Sequence, residues 1–361
     1  MASYQLQLYS SLGTFAKAVK SQGAIRYGLE RFLTIIQMAY NNRQRNRLPR
    51  GSGRTSARTP YISHRNGYLT VDRNCFQEGD LALLQDRKGR RHLLTLLDGG
   101  VFHSHQGRLD HERLIGHSVG GWYRTDRGHV LLAVRPTLGD FVRQMPRGPQ
   151  IIYPKDLGLI IMLADIFPGA TVIEGGLGSG SLTSALLRAV GVHGRVINYE
   201  IEESWLPKAQ ANIQKIVGDA SNLEIKIGDI YDGISERNID RVVLDVPEPW
   251  QAVSTVGDCL LMGGILLSFL PTVIQVQKLV LALEADTRFQ LIETTETLLR
   301  TWHVTERSVR PDHRMVAHSG FLTTAVRCQP RVIGTPSDPS VELPAESVAG
   351  NEEDEADGRD E

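Results

Sequence analysis

The segment Glu174-Gly-Gly-Leu-Gly-Ser-Gly-Ser-Leu-Thr, residues 174–183, carries the strongest structural signal in this chain. It follows the apolar run ATVIE (170–174), which predicts a strand, and it opens residues 180–190, which predict a helix. Glycines let a backbone turn sharply and approach a ligand closely. The spacing E-x-G-x-G-x-G differs from the G-x-G-x-x-G of dinucleotide-binding turns, where a pyrophosphate sits at the helix N-terminus. The segment therefore predicts a strand, a glycine turn and a helix that together hold a small ligand.

Residues 136–333 alternate strand-like and helix-like segments, which is the pattern of a parallel α/β sheet. After the first strand, the predicted strands are RVINYE (195–200), LEIKIGD (223–229), DRVVLDV (240–246) and GGILLSFL (263–270), with late strands in FQLIETTE (289–296) and HSGFLTTAVR (318–327). Helices are predicted over 203–217 and 272–284. We therefore predict an α/β fold in which a Rossmann-like domain over 136–333 follows a small β domain.

The predicted small β domain, 71–135, rests on short apolar runs between turns from Phe76 to Arg135. Residues 1–70 hold eleven Lys and Arg against Glu30 alone, and residues 335–361 hold ten acids against Arg359. These compositions predict a basic disordered extension over 1–70 and an acidic disordered tail over 334–361. For the extension, a phosphate-contacting arm, a plain linker, an upstream-extended start and an organelle transit peptide stay open.

Composition excludes several classes of protein. The three cysteines, Cys75, Cys259 and Cys328, form no C-x-x-C pair, so neither a zinc site nor a disulfide framework is indicated. No apolar run reaches the roughly 18 residues of a membrane span. We expect a cytoplasmic protein with reduced thiols, no metal site and no membrane segment.

Acidic residues end three successive predicted strands. S-adenosylmethionine lacks a phosphate and carries an amino-acid end, whose ammonium group Glu174 can face. Glu200 can accept both ribose hydroxyls, a geometry that nicotinamide enzymes share, and Asp229 can accept the adenine amino group. Because the carboxyl ends of parallel strands meet at one crevice, the three acids predict a single cofactor site. As an alternative, each acid caps a helix or turn.

The fourth predicted strand ends in LDVPEPW, residues 244–250. Asp245 lies at its carboxyl end, beside the same crevice, and it is our candidate for the reacting carboxylate. Pro247 and Pro249 stiffen the segment that follows. Trp250 can stack on a base or pack on the sheet, and both interpretations stay open.

Five segments together resemble the tRNA adenine-N1 methyltransferases, which modify the adenine at position 58 of the T-loop. They are RGPQIIYPKD (147–156), EGGLGSGSLTSALLRAVG (174–191), YEIEE (199–203), LDVPEPW (244–250) and RPDHRMVAHSGFL (310–322). The glycine turn departs from the usual family pattern at Gly175 and Leu177, but neither change removes a side-chain ligand.

The resemblance implies a small β-barrel-like domain joined to a Rossmann-like methyltransferase domain, tRNA as substrate, and a homotetramer, as in bacterial and archaeal members. It implies that Asp245 is catalytic, with Tyr153 beside the incoming base. Independently of the resemblance, Tyr153-Pro154 predicts the start of a helix, with proline at its first position. It also implies that S-adenosylmethionine is bound by Gln150, Glu174, Gly176, Gly178, Gly180, Ser181, Leu182, Glu200, Asp229 and Asp245.

The chemistry of such a reaction defines what Asp245 has to do. Adenine N1 is paired in folded RNA, so the base must be extruded before its lone pair attacks the methyl group in line. The ring becomes cationic, and a carboxylate that accepts a hydrogen bond from the exocyclic amine stabilises that charge.

Three other functions stay open at this point. They are a catalytically silent tRNA-binding subunit, a nicotinamide oxidoreductase, and methyl transfer to another RNA position or to a protein. The rim of the site is also open, because Arg310, Arg314 and His318 can contact RNA or belong to a hairpin with solvated charges.

Overall fold

The computed structural model describes residues 74–315 and 317–330. The predicted basic extension, 1–70, and the predicted acidic tail, 334–361, lie outside the described residues. The described chain belongs to one compact unit that begins at Val71. Within the described ranges, no helix is both long and apolar enough to cross a membrane.

The first part of the chain forms short antiparallel strands, as predicted. These strands are β1 (Leu81–Gln85), β2 (Arg91–Thr95), β3 (Val101–Ser104), β4 (Gly107–Asp110), β5 (Gly121–Arg124) and β6 (Val130–Val134). A four-stranded sheet has the order β2-β1-β6-β5, and β3 pairs with β4 as a separate hairpin. Phe76, Leu84, Leu109 and Leu131 are fully buried between them and form a core of their own.

The remainder alternates helices and strands. The helices are α1 (Leu138–Gln144), α2 (Pro154–Leu163), α3 (Ser181–Val190), α4 (Leu206–Ile216), α5 (Val253–Cys259) and α6 (Val273–Ala285). The strands are β7 (Thr171–Gly175), β8 (Arg195–Glu200), β9 (Leu223–Ile227), β10 (Ile239–Leu244), β11 (Leu260–Leu270), β12 (Phe289–Glu296), β13 (Trp302–Thr305), β14 (Ser308–Pro311) and β15 (Phe321–Arg327). The predicted domain boundary at 135–136 falls between β6 and α1.

Seven strands form one sheet in the order β12-β15-β11-β10-β7-β8-β9. The prediction of a wholly parallel sheet is wrong for one strand, because β15 runs antiparallel to both β11 and β12. The chain returns from β12 to β15 through the β13–β14 hairpin, with no crossover helix, and a parallel neighbour needs such a crossover. The sheet is therefore mixed.

The sheet positions the site because its strand order reverses beside β7. From β7 the chain proceeds outward to β8 and β9, and it then returns to place β10 on the other side of β7. Ligands of open α/β sheets bind at such a switch point, outside the carboxyl ends of the strands. Here those ends carry the glycine turn and Asp245.

Side chains alternate across the sheet and bury two cores. On β7, Val172 packs under α3 on one face, whereas Ile173 packs on the other face with the α5 and α6 side. Both are fully buried, which fits a central strand covered on both faces. The small β sheet is joined to α1 by an ion pair, in which Arg91 Nη1 lies 2.8 Å from Asp140 Oδ1.

Candidate active site

The glycine turn brings the backbone against the end of β10. Gly176 has φ +90°, and a Cβ added there would lie 2.5 Å from the carbonyl oxygen of Asp245. Gly178 and Gly180 also have positive φ, and α3 starts immediately afterwards with buried Ser181 and Leu182. The Asp245 N–H donates to Gly175 O at 2.9 Å, which fixes the two strand ends side by side. A side chain at position 176 would therefore push the turn away from the crevice.

Glu200 lies at the end of β8, and its carboxylate holds the glycine turn. Its Oε2 accepts from the N–H groups of Leu177 at 2.8 Å and Gly178 at 3.2 Å, and its Oε1 accepts from Glu202 N at 2.9 Å. These contacts occupy three of the four lone-pair sites of the carboxylate, so one site on Oε1 remains for a ribose hydroxyl. The structure thus places Glu200 at the predicted edge and adds a structural role that the sequence did not indicate.

Glu174 lies inside the protein. Its side chain is fully buried beneath α3, where Thr183 Oγ1 donates to Oε1 at 3.0 Å. Among the described residues, Oε2 has no hydrogen-bond partner, and neither does either amide atom of Asn198, the neighbour on β8. Burial raises the pKa of Glu174 to about 8. The structure thus buries Glu174 at the end of β7, and its predicted role toward the ammonium group of the cofactor stays a prediction.

Asp229 caps a turn, which was the alternative interpretation for a strand-end acid. Its Oδ1 accepts from Tyr231 N at 2.9 Å and starts the 3-10 turn Ile230–Asp232. Its side chain nevertheless stands at the same sheet edge as Glu200, since β8 and β9 pair in parallel up to Glu200 and Ile227. Capping leaves Oδ2 available for a ligand donor.

Asp245 follows the last residue of β10 and is half-buried. Its carboxylate has no hydrogen-bond partner among residues 74–315 and 317–330. Burial without such a partner raises the pKa of Asp245 to about 7. A partly buried acid with a raised pKa in a crevice is typical of a functional site.

The segment after Asp245 is held by α6 and by the Ile230–Asp232 turn. Gln275 Nε2 of α6 donates to Pro247 O at 2.9 Å, and the phenolic oxygen of Tyr231 accepts from Glu248 N at 2.8 Å. Trp250 packs against the core, with Lys278 Nζ 4.8 Å from its ring centroid. The packing interpretation of Trp250 is the one that the structure describes. The supports from Tyr231 and Gln275 were missed, because only the folded chain brings those positions together.

Residues 146–153 border the glycine turn. Asn212 of α4 donates to both Pro146 O at 2.8 Å and Ser179 O at 3.0 Å, which ties this segment to the turn. Gln150 follows Pro149 in this segment and is exposed. Tyr153 is partly exposed and is the N-cap of α2, whose first position is Pro154, as the sequence predicted. The side-chain roles of Gln150 and Tyr153 stay predictions.

The segment around His318 is docked on α2. Asp156 accepts from Ser319 Oγ at 2.6 Å and pairs with buried Lys155 at 2.7 Å. His318 contacts Glu296 Oε1 at 2.7 Å, and that contact raises the pKa of the imidazole. Arg310 lies in β14 of the β13–β14 hairpin. Arg314 follows that strand in the chain and is exposed. His318 therefore has protein partners, and an RNA contact by Arg310, Arg314 or His318 stays a prediction.

Two family models match this chain. The model described as "tRNA methyltransferase complex GCD14 subunit" covers residues 129–319, and the model described as "TrmI-like N-terminal" covers residues 75–122. A tRNA (adenine(58)-N(1))-methyltransferase of Thermus thermophilus is 37% identical over 246 residues, which are 68% of this chain and 96% of that protein. The chain belongs to the tRNA (adenine-N1)-methyltransferase family. The predicted family is thus confirmed.

Other relatives agree with this membership. A tRNA (adenine(57)-N(1)/adenine(58)-N(1))-methyltransferase of Methanocaldococcus jannaschii is 35% identical over 67% of this chain and 93% of its own length. The crystal structure of the tRNA (m1A58) methyltransferase from Aquifex aeolicus matches with a TM-score of 0.63 and 29% identity, over 71% of this chain and all of that one. A structure described as an S-adenosylmethionine-dependent O-methyltransferase from Thermotoga maritima has a TM-score of 0.69 at 32% identity, over 75% of this chain and all of that one.

Membership defines the fold class and the cofactor of this methyltransferase. The Rossmann-like methyltransferase fold with a preceding β region is confirmed, and S-adenosylmethionine is the cofactor. The crevice fits that group, since the glycine turn, the Glu200 carboxylate and the unpaired carboxylate of Asp245 meet at the carboxyl ends of β7, β8 and β10. The nicotinamide oxidoreductase hypothesis is therefore discarded.

Proposed function

We propose that this methyltransferase transfers the methyl group of S-adenosylmethionine to N1 of an adenine in the T-loop of tRNA, at position 58. The observation that carries the proposal is the half-buried, unpaired carboxylate of Asp245 beside the glycine turn. The names of the Thermus and Methanocaldococcus relatives support the same base and atom.

The cofactor is held by residues at the carboxyl ends of β7, β8 and β9. S-adenosylmethionine supplies an electrophilic methyl group on a sulfonium centre. Glu200 accepts a ribose hydroxyl with the one Oε1 site that its backbone contacts leave available, and Asp229 accepts the adenine amino group. Gly176, Gly178 and Gly180 let the backbone approach the amino-acid end, with Ser181 and Leu182 closing the turn. Gln150 and Tyr153 border the opening.

Asp245 binds and orients the extruded adenine. Its carboxylate accepts a hydrogen bond from the exocyclic amine, which aligns N1 with the methyl group. As the new C–N bond forms and the C–S bond breaks, positive charge spreads over the purine, and the carboxylate stabilises it. The protein environment disfavours the unpaired anion, so this stabilisation is greatest once the cationic ring is present.

Mapping the methylated base tests this proposal. The purified chain is incubated with unmodified tRNA transcript and labelled S-adenosylmethionine, and the labelled nucleoside is located by nuclease digestion and mass spectrometry. A transcript with guanosine in place of the T-loop adenine is the control and should stay unlabelled. Label at another position, or on a protein, would favour a different acceptor. Bound cofactor with no label at all would favour a silent tRNA-binding subunit.

We also infer that the chain assembles as a homotetramer through the β13–β14 hairpin. Trp302, Val304 and Val309 of that hairpin are all more than half exposed, and Val304 pairs directly with Val309 across the strands. A contiguous exposed apolar face on a soluble protein marks an interaction surface. Light scattering should show four chains for the wild type and fewer for Val304→Glu/Val309→Glu. Eukaryotic relatives are named catalytic subunits, so a different partner chain is the competing outcome.

A cytoplasmic location follows from this proposed tRNA substrate. The measurement is fluorescence microscopy of the tagged full chain. Signal confined to an organelle would contradict the location and favour the transit-peptide interpretation of residues 1–70.

A further inference from the structure

A second cleft lies in the small β sheet region, outside the crevice at the strand ends. The tips of three hairpins surround it, namely those of β1–β2, β3–β4 and β5–β6, and its volume is about 350 Å³. Its lining is rich in groups that bind anions: Arg87, Lys88, Arg90, His105, Gln106 and His129. None of these residues takes part in the proposed transfer.

A buried acid builds the first wall of this hairpin cleft. Asp86 is 4% exposed, and its Oδ1 accepts from Lys88 N at 2.8 Å and Arg90 N at 2.9 Å. Its Oδ2 accepts from Arg90 Nε and Gln106 Nε2, both at 2.7 Å. One carboxylate thus fixes the β1–β2 turn and links it to the β3–β4 turn.

The β5–β6 turn is fixed to the β3–β4 hairpin. Thr125 Oγ1 donates to Gln106 O at 2.8 Å, and Asp126 Oδ1 accepts from Arg108 N at 2.8 Å. These contacts hold the three hairpin tips as one rigid platform. The cleft is therefore a built feature and not a gap between independent loops.

The charge that the platform presents to solvent is positive. Among the described residues, the exposed side chains of Arg87 and Lys88 have no hydrogen-bond or ion-pair partner. The acid nearest to them in the chain, Asp86, is buried and already accepts four hydrogen bonds. Arg90 extends past Asp86 and contacts His105 Nε2 at 2.7 Å. The exposed acid Asp126 has its Oδ1 occupied by a backbone donor.

We propose that the hairpin cleft binds the phosphodiester backbone of the RNA substrate, outside the crevice that holds the methyl donor. This inference rests on the proposed function. Small-molecule sites enclose their ligand and fix it with a few buried polar groups. Here Arg87 and Lys88 are exposed and have no partner among the described residues, which suits a polyanion that releases counterions on binding. Such contacts position the RNA without reading its sequence.

The test compares two double variants with equal loss of charge. Arg87→Gln/Lys88→Gln removes the unpaired cations of the cleft and leaves the Asp86 contacts intact. Lys208→Gln/Lys215→Gln is the control and removes two exposed lysines from α4. We measure tRNA binding by filter retention between 50 and 200 mM salt, together with kcat and KM for tRNA. Arg90 is left unchanged, because its loss would leave Asp86 without its ion pair and endanger the fold.

The cleft variant should bind tRNA several-fold more weakly, and the slope of log K against log salt should become shallower by about 1 to 2. KM for tRNA should rise while kcat at saturating tRNA stays unchanged. Binding and kinetics equal to those of the control variant would overturn the inference, as would a loss confined to kcat. Failure of the proposed function can be distinguished from failure of this inference. In the first case the wild-type protein would leave the T-loop adenine unmethylated, and filter retention would still compare tRNA binding by the two variants.

Discussion

The phenolic oxygen of Tyr231 accepts a hydrogen bond from the backbone N–H of Glu248 at 2.8 Å. Tyr231 also donates its own backbone N–H to Asp229, an acid of the cofactor edge. One residue therefore connects the segment that meets the cofactor with the segment that follows Asp245. We infer that Tyr231 is a positioning residue, because it sets the loop that carries the reacting carboxylate.

Tyr231→Phe should lower kcat by about 3- to 10-fold, since one neutral hydrogen bond contributes about 0.5–1.5 kcal/mol. The affinity for S-adenosylmethionine should change little, because Asp229 keeps its side chain. Steady-state kinetics and calorimetric titration measure the two effects. Tyr123→Phe is the matched control, since it removes a hydroxyl that donates only to Ser118 O in the small β sheet region. Equal kcat values for the two variants would contradict a positioning role for Tyr231.

The activity should depend on the ionisation of Asp245. Its pKa of about 7 predicts that kcat/KM rises as the pH increases through about 7 and then levels off. The measurement is the initial rate between pH 5 and 9. A kcat/KM that is flat across this range would contradict the raised pKa.

The same carboxyl group should destabilise the fold at high pH. When an acid has a higher pKa in the folded state than in the unfolded state, the free energy of unfolding falls as the pH rises between the two values. For Asp245 these values are 3.8 in the unfolded chain and about 7 in the fold. The full effect is at most about 4 kcal/mol, and we expect about 1–2 kcal/mol because the group is only half-buried. Urea unfolding at pH 8 should therefore show Asp245→Asn to be more stable than the wild type. The difference should disappear near pH 4.

Gly176→Ala should abolish cofactor binding. The new Cβ would lie 2.5 Å from Asp245 O at a backbone φ of +90°, so the turn must move away from β10. Gly218→Ala is the control, because its φ of +87° is nearly the same but no atom lies within 4 Å of the added Cβ. In both variants backbone strain should lower the free energy of unfolding by about 1 kcal/mol. Only Gly176→Ala should lose binding of S-adenosylmethionine in calorimetric titration. Normal binding by Gly176→Ala would show that the turn does not hold the cofactor.

Glu174→Gln should stabilise the protein increasingly as the pH rises. The folded wild type keeps this buried acid protonated up to a pKa of about 8, whereas the unfolded chain ionises near 4.5. Wild-type stability is therefore lost between these two pH values, and the neutral amide avoids that loss. Urea unfolding at pH 5 and pH 9 measures the difference in free energy of unfolding between variant and wild type, and this difference should be larger at pH 9. An equal difference in free energy of unfolding at the two pH values would mean that Glu174 is ionised in the fold.

The sequence predicted the elements around the site well, because their signals are local. The glycine turn at Gly176, the strand ending at Glu200 and the helix start at Pro154 depend only on neighbouring residues. The direction of β15 was missed, since it depends on the route of the chain through the β13–β14 hairpin. The burial of Glu174 was also missed, because spacing alone does not reveal which face α3 covers.

The contacts between separate loops could not be predicted at all. Tyr231 and Glu248 are 17 residues apart, and no sequence pattern marks a tyrosine as the partner of a distant backbone N–H. The hairpin cleft has the same origin, since Asp86 and Gln106 lie in the turns of two separate hairpins, β1–β2 and β3–β4. Such contacts depend on tertiary packing, whereas motifs and periodicity report local structure.

The single-turnover rate of Asp245→Asn tests the proposed role of this carboxylate most directly. The variant is assayed at pH 8 with saturating S-adenosylmethionine and tRNA, and cofactor affinity is measured in parallel. Asp219→Asn, at an exposed acid after α4, is the control. We predict unchanged cofactor affinity and a rate lower by at least about 100-fold for Asp245→Asn alone. A wild-type rate for Asp245→Asn, with methylation still at adenine N1, would contradict the proposed role of Asp245.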